Sequence, residues 1–393
     1  MEQERGTASE VFWAFLRLGL TSFGGPIAHL GYFRDELVTR RRWMGDAAYS
    51  DIVALCQFLP GPASSQVGFV MGLSRAGLKG AAAAWAGFTL PSATLLIAFA
   101  FSTQFLTGDL AQGALHGLKL VAVAIVAQAV WGMARTLTPD RPRAAIALLA
   151  VAMVAFIGGA VGQIGAILLG ALIGLRLTGG TPQSAPPAIP LSRRFGVRCL
   201  IAFAALLIGL PLLAYLAHIF APAEAFYRAG ALVFGGGHVI LPLLDSATVA
   251  RGWISDDAFL AGYGAAQAIP GPLSTFAGYL GAAMTPEPNG LIGGIIGILF
   301  IFLPGFLLLL GVLPFWDDLR RHPSAAGVMQ GTNAAVVGIL GAALYDPVFT
   351  SAVTNSRDFT LALAAFLLLT IWKRSPWQVV ILTAFGGAAL SLI

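Results

Sequence analysis

Apolar residues fill long uninterrupted stretches of this chain, and short clusters of charge, Gly or Pro separate one stretch from the next. Thirteen stretches fall at roughly 11–33, 47–73, 79–107, 111–134, 143–158, 161–177, 197–220, 223–244, 257–284, 289–315, 325–345, 358–372 and 376–393. Crossing a bilayer takes ~20 helical residues, at ~1.5 Å each over ~30 Å of hydrocarbon. Most stretches meet that length, although 143–158, 161–177 and 358–372 are short. A membrane β-barrel needs ~10-residue alternating segments, and Ala144–Ala155 and Phe359–Thr370 do not alternate. The pattern predicts an all-α polytopic membrane protein.

Composition sharpens this. AVILMFWYC residues make up 57% of the 393 positions and DEKR only 10%, against about 25% charged residues in soluble domains. So few charges cannot cover a water-facing surface of this size, and the lipid bilayer is the expected surrounding. Cys56 and Cys199 lie far apart and form neither a metal set nor a disulfide framework. Met1–Arg5 is mixed in charge, and no small-residue cleavage site follows the first stretch, so no removable signal peptide is expected. The net charge of +5 records loop sidedness and does not imply nucleic acid. Nucleophile-elbow, zincin and phosphate-loop signatures are missing. The chain therefore reads as a non-enzyme with no cofactor or metal, and not as an ATP-driven pump.

The chain is duplicated. Phe15, Arg17, Gly19 and Phe23-Gly24-Gly25 recur 211 positions later as Phe226, Arg228, Gly230 and Phe234-Gly235-Gly236. Trp43, Asp46, Gln57, Pro60-Gly61-Pro62, Ser64 and Gly68 recur 210 positions later as Trp253, Asp256, Gln267, Pro270-Gly271-Pro272, Ser274 and Gly278. Leu90-Pro91 recurs as Leu303-Pro304. Seven stretches separate equivalent elements, an odd number, so the halves insert in opposite senses. The expected organisation is an N-terminal repeat (10–177), a linker and extra helix (178–222), and an inverted C-terminal repeat (223–393). Such inverted-topology repeats are a transporter architecture.

Basic residues test the topology. Thirteen simple spans with the N-terminus inside put fifteen Lys/Arg on inside loops and five outside, four of these being Arg34, Arg40, Arg41 and Arg42. If stretches 1, 2, 8 and 9 are instead hairpins that return to their own side, the split becomes eighteen and two. The hairpins fit the positive-inside rule better; kinked full spans are the alternative. Either way the N-terminus is cytoplasmic and the C-terminus periplasmic.

Each of those four stretches carries a helix breaker near its middle. The residue before Pro60 is pushed out of helical geometry, Gly61 accepts unusual torsions, and Pro62 suits a new helix start. Past it, the first amides of the new helix have no carbonyl partner, and at membrane depth such backbone must be satisfied or line a cavity. Pro270-Gly271-Pro272 repeats the arrangement, and Phe23-Gly24-Gly25 and Gly235-Gly236-Gly237-His238 supply two more candidate starts. Each start carries about half a positive charge and free N–H groups that bind anions without a cationic side chain. Bent helices in close packing are the plain alternative.

Ser64, Ser65, Ser274, Thr275, Gln57 and Gln267 are polar candidates beside these breaks. Arg17 and Arg228 lie inside apolar runs, where a charge usually pairs or binds something; local snorkelling and an ion pair with Glu224 are the structural readings. Lys119 aligns loosely with Asn333, and both are candidates. Asp46 and Asp256 are expected to cap the following helices. Asp51 is a candidate proton carrier. Gly170-x-x-x-Gly174 and Gly293-x-x-x-Gly297 read as close helix packing, within the chain or in a homodimer.

The blocks SFGGPIAHLGYFRDELVTRRRW and CQFLPGPASSQVGFVMG, with FGGGHVILPLL and QAIPGPLSTFAGYLG in the second half, resemble the bacterial chromate ion transporter family in its long, two-repeat form. The resemblance implies export of chromate across the inner membrane, chromate resistance, and sulfate as the related oxyanion. Gly237 stands where the first half has Pro26, so the two halves need not be chemically equal. Backbone amides do not name their ligand, and a sulfate exchanger, an anion channel on the same fold or a membrane assembly factor remain open at this point.

Overall fold

A computed structural model describes residues 6–105, 108–177, 191–319 and 322–392. The first part of the expected linker, 178–190, lies outside the described residues. Every regular element among the described residues is helical. The first half comprises α1 (Ala8–Thr21), α2 (Gly25–Phe33, continued by a π-helical stretch Arg34–Arg40), α3 (Asp46–Phe58), α4 (Ala63–Ser102), α5 (Asp109–Leu137), α6 (Arg141–Ile157) and α7 (Gly159–Gly174). A long unpaired helix follows, α8 (Arg193–Leu216). The second half comprises α9 (Ala221–Ala231), α10 (Ile240–Thr248), α11 (Asp256–Ala266), α12 (Phe276–Ala283), α13 (Gly290–Val312), the single turn α14 (Trp316–Leu319), α15 (Pro323–Ala343), the short α16 (Thr350–Ala352), α17 (Ser356–Thr370) and α18 (Pro376–Leu390).

The breaks fall where the sequence places them. Leu59 is extended before Pro60, and α4 restarts behind Pro62, as steric clash with a proline ring demands. Helices α1 and α3 have 14 and 13 residues, and α9 and α11 have 11 each. None is long enough to cross hydrocarbon alone. α4 is itself two arms. Ala76 and Gly77 leave helical torsions (Gly77 at φ +64°), and the chain folds back on itself there. A Cβ on Gly72 would strike the Gly80 carbonyl, and one on Gly80 the Gly72 carbonyl, so the arms 63–75 and 78–102 lie antiparallel and in backbone contact.

The broken elements are hairpins. Gly6 N–H donates to the Arg75 carbonyl at 3.0 Å, and Arg75 pairs with Glu10 at 3.2 Å. The Arg41 and Arg75 guanidinium groups both lie over the Trp43 ring. The start of α1, the connection between α2 and α3, and the end of the first α4 arm therefore share one end of the molecule. In the second half Glu224 accepts from Arg228 at 2.6 Å and from Arg251 at 2.8 Å, Arg251 covers Trp253, and Thr285 N–H donates to the Trp253 carbonyl. This is the opposite end. The second α4 arm leaves the first end at residue 78, and Ile97 and Phe101 reach Gly294 and Gly290 of the second half. Repeated Trp43 and Trp253 thus mark the two ends, each under an arginine.

Among the described residues, five helical stretches are long and apolar enough to cross a membrane: Ala63–Ser102 (counted across its bend), Asp109–Leu137, Arg193–Leu216, Gly290–Phe315 and Ser324–Ala352. With the sequence's two copies, this is an all-α membrane protein of two inverted repeats. Both small-residue motifs are used within the chain. A Cβ on Gly170 would come 2.6 Å from the Gly331 carbonyl oxygen, and Gly174 meets Gly327 as closely. Gly293 and Gly297 seat α13 against Gly281 and Ala277. The expected caps shift by one residue. Gly45 and Ser255 hold the N-cap positions, Ser255 Oγ accepts from Ala258 N–H at 3.3 Å, and Asp46 pairs with Arg34 at 2.7 Å. Extended torsions belong to the residue before the helix, and the aspartates already lie inside it.

The hairpins make a sidedness prediction. With Cys56 and Cys199 replaced by Ala, single cysteines at Arg42 and Lys79 should react with an impermeant maleimide from the same side of the membrane. Cysteines at Arg251 and Glu287 should react only from the other. Full spans would put Arg42 and Lys79 on opposite sides, so labelling in intact cells against inverted vesicles decides between the two.

Candidate functional site

Where the hairpin tips meet, each half completes the other. Gly61 N–H donates to the Val233 carbonyl at 2.7 Å, and Gly271 N–H donates to the Ser22 carbonyl at 3.0 Å. Gly61 and Gly271 are equivalent residues, and so are Ser22 and Val233. The two bonds form a matched pair across the boundary between the copies. Gly61 at φ +130° and Gly271 at φ +110° occupy torsions that side chains rarely adopt. Neither has room for one. A Cβ on Gly61 would lie 2.6 Å from Gln66 Nε2 and 3.0 Å from Gly305 Cα; one on Gly271 would lie 2.7 Å from Ser92 Oγ. Ser92 and Gly305 each follow the repeated Leu-Pro, so the contact too is duplicated.

The other two tips touch at the same crossing. A Cβ on Gly237 would come 2.9 Å from Pro26 Cγ, and one on Gly25 4.0 Å from His238 Nε2. Pro26 and Gly237 are equivalents, so the pseudo-symmetry relating the halves passes close to this contact. α2 and α4 both start here without a side-chain cap. The turn Leu273–Thr275 leads into α12, and Gly237–Val239 leads into α10. Four helix starts, two from each end of the molecule, therefore converge. That arrangement concentrates positive helix ends and unpaired N–H groups on one small volume.

Several candidates gather at it. Ser64, Ser65, Ser274 and Thr275 are buried in the first turns behind Pro62 and Pro272. Pro60 and Pro270 are half-buried at the tips. Gly24 is exposed, and Gly235 and Gly236 are half-buried, with Asn333 Oδ1 3.4 Å from where a Gly235 Cβ would stand. His238 Nδ1 and the Tyr263 hydroxyl are hydrogen-bonded at 2.8 Å, and Gln267 lies beside that hydroxyl. Phe23 leans outward from the tip onto Trp377, ring centroids 6.2 Å apart.

Other candidates are not brought in. Arg17 is exposed on the outer face of α1 with Trp13 and Leu20. Arg228 is taken by Glu224 near the second end. Lys119 pairs with Asp257 in the first turn of α11, at 2.7 Å, so it does not share the setting of Asn333. Gln57 is exposed. Sequence reasoning passed over Gln66, which is fully buried and donates Nε2 hydrogen bonds to Pro60 O (2.9 Å) and Gly305 O (3.1 Å). It also passed over Ser22, His29, Thr89 and Tyr263. The available signal was a polar residue within a turn or two of a breaker in an otherwise apolar run. Two cavities of about 400 and 380 Å³ lie away from the crossing, one apolar between α5, α15 and α17, the other polar around His116 and Asp358.

Comparison with known proteins follows this duplicated geometry. The sequence profile of the chromate transporter family matches residues 9–175 and again residues 220–389. The chain belongs to the chromate transporter family. It is 28% identical to the chromate transport protein of Pseudomonas aeruginosa, an alignment covering 96% of this chain and 91% of that one. It is 27% identical to a probable chromate transport protein of Synechococcus elongatus (93% and 88% covered) and 26% identical to the chromate transport protein of Cupriavidus metallidurans (98% and 92% covered). No solved structure matches the chain. In this chromate transporter family member, the profile's two matched spans each contain one Phe-Gly-Gly and one Pro-Gly-Pro tip.

Gly61→Ala and Gly271→Ala should each lower stability by roughly 2 kcal/mol or more, because strained torsions and overpacking add. Thermal unfolding of the detergent-purified protein measures this. Alanine at Gly45, which meets nothing within 4 Å and has an ordinary extended φ, should leave the midpoint nearly unchanged.

Proposed function

We propose that this protein is a secondary transporter that carries chromate out of the bacterial cytoplasm across the inner membrane, with chromate resistance as the consequence. The observation that carries the reading is the matched pair of bonds, Gly61 to Val233 and Gly271 to Ser22. They join breaks that enter from opposite ends, and so define one place equally related to both sides of the membrane. Rocking of one repeat against the other about such a place is how inverted-repeat carriers alternate access. The moving units are taken as 10–177 and 223–393, with 178–222 connecting them. The relatives named for chromate transport supply the substrate, and sulfate is the related oxyanion because a tetrahedral dianion suits neutral N–H and hydroxyl donors.

Sidedness follows from charge. The first end carries most of the loop Lys/Arg, which favours the cytoplasm, and leaves the C-terminus in the periplasm. Direction follows from energetics. One charge moving through 100 mV is worth ~2.3 kcal/mol, so a dianion leaving an inside-negative cell gains ~4.6 kcal/mol, about three decades of gradient. Export therefore needs no proton. The substrate contacts are assigned to Phe23-Gly24-Gly25, Pro60–Pro62, Ser64, Ser65, Gly235–His238, Pro270–Pro272, Ser274, Thr275 and Asn333.

In inverted inner-membrane vesicles containing the protein, chromate should accumulate when the lumen is positive. Accumulation should collapse with valinomycin and K⁺ and persist when nigericin removes the pH gradient alone. Loss only with the pH gradient would overturn potential-driven export, and no chromate movement at all would overturn the substrate.

A further inference from the structure

The two copies treat their tips unequally, and the inequality is chemical. Resting on the oxyanion reading above, we infer that the first half supplies the main cluster of side-chain donors for the anion, from Ser22, His29, Ser64, Ser65 and Thr89. All five are at most 3% exposed. Ser22 Oγ, Ser65 Oγ and Thr89 Oγ1 have no hydrogen-bond partner among the described residues, and the His29 imidazole sits between Ser64 Oγ and the Ser22 backbone. Buried polar atoms are nearly always paired, and each exception asks for an explanation. Three hydroxyls beside the breaks of one copy constitute a donor set with nothing to donate to.

They belong to one neighbourhood. His29 Nδ1 lies 3.4 Å from Ser64 Oγ, and the His29 ring stands edge-on to Phe88, centroids 5.2 Å apart. Thr89 is the next residue. The Ser22 carbonyl accepts from Gly271, whose Cβ would lie 3.3 Å from the Phe88 carbonyl oxygen. Phe33 meets Phe88 and Phe15 edge to face, at 5.0 and 5.4 Å, and walls the cluster. The helix starts of α2 and α4 carry His29 and the two serines.

The second half has abandoned this chemistry. Val233 replaces Ser22, Ile240 replaces His29, and Phe302, before the repeated Leu-Pro, replaces Thr89; all three are buried and apolar. Ser274 and Thr275 remain, but Thr275 Oγ1 already donates to Pro272 O at 2.7 Å. At these matched positions the scaffold carries orphaned hydroxyls in one copy and hydrocarbon in the other, while the orphaned amide atoms of the second half, Gln267 Nε2 and Asn333 Oδ1, sit beside Tyr263 and Gly235 instead. Hydroxyls and an imidazole N–H suit a dehydrated dianion, since hydrogen bonds to a charged acceptor are the stronger kind.

The test uses isosteric removal of single hydroxyls, Ser22→Ala and Thr89→Val, in the full-length protein. Thr383→Val is the control; its buried hydroxyl bonds its own helix at Val379 O and Val380 O. Potential-driven chromate uptake into inverted vesicles gives KM, and detergent-purified protein gives the unfolding midpoint. Ser22→Ala and Thr89→Val should each raise KM by about tenfold or more, with a midpoint at or above wild type because an orphaned group has been removed. Thr383→Val should keep the wild-type KM. The subsite is refuted by a wild-type KM in either variant, by an equal rise in Thr383→Val, or by a fall in midpoint that accompanies the rise. A wild-type protein that moves no chromate removes the transport reading and the subsite with it, an outcome distinct from failure of the variants alone.

Discussion

Two hydrogen bonds between backbone groups hold the centre of this protein together: Gly61 N–H to Val233 O and Gly271 N–H to Ser22 O. Interrupting a helix at membrane depth frees N–H and C=O groups where no water can take them, and each unpaired group costs several kcal/mol. Neither half pays this alone. The Pro-Gly-Pro tip of one copy is closed by the carbonyl before the Phe-Gly-Gly tip of the other. Because that exchange needs tips arriving from opposite directions, the pairing and the inverted insertion are one constraint. The glycine torsions, the Gly61–Gly305 contact and the Gly271–Ser92 contact all follow from bringing backbone this close.

On this near-symmetric backbone the side chains are asymmetric. Pro26 faces its own equivalent, Gly237, so one copy brings a ring and the other a gap. Gln66 braces the first tip through two carbonyls, and its equivalent, Phe276, packs instead between the rings of Phe259, Tyr263 and Tyr279. His238 is tied to Tyr263 in the second half, while His29 of the first stands beside Ser64. The proposed carrier function would need symmetry to open both ways but only one seat for its cargo. In that proposal the backbone hydrogen bonds serve the first requirement and the divergent side chains the second.

The charges show why position along the chain predicts so unevenly. Arg17 and Arg228 are equivalent in sequence, yet Arg228 is neutralised by Glu224 while Arg17 faces outward. Lys119 reads as a charge in the middle of a stretch, and α11 brings Asp257 to it from 138 residues away. Glu224 four residues before Arg228 is a helical spacing that could be read directly. Asp257 opposite Lys119 has no local spacing to betray it. Thr89 reads as an isolated polar residue because the Gly271 break beside its neighbour Phe88 belongs to the other copy.

What the sequence determined by itself was everything with a local or periodic cause. Apolar run lengths named the membrane, the ordered recurrence named the duplication, and proline and glycine stereochemistry named the four breaks. The imbalance of arginine between loops favoured hairpins and left kinked full spans open. Tertiary structure alone decided which polar atoms meet at the crossing, that α4 is two antiparallel arms, and that the small-residue motifs are spent within the chain. Those outcomes depend on contacts between segments more than two hundred residues apart, where geometry rather than spacing chooses the partner.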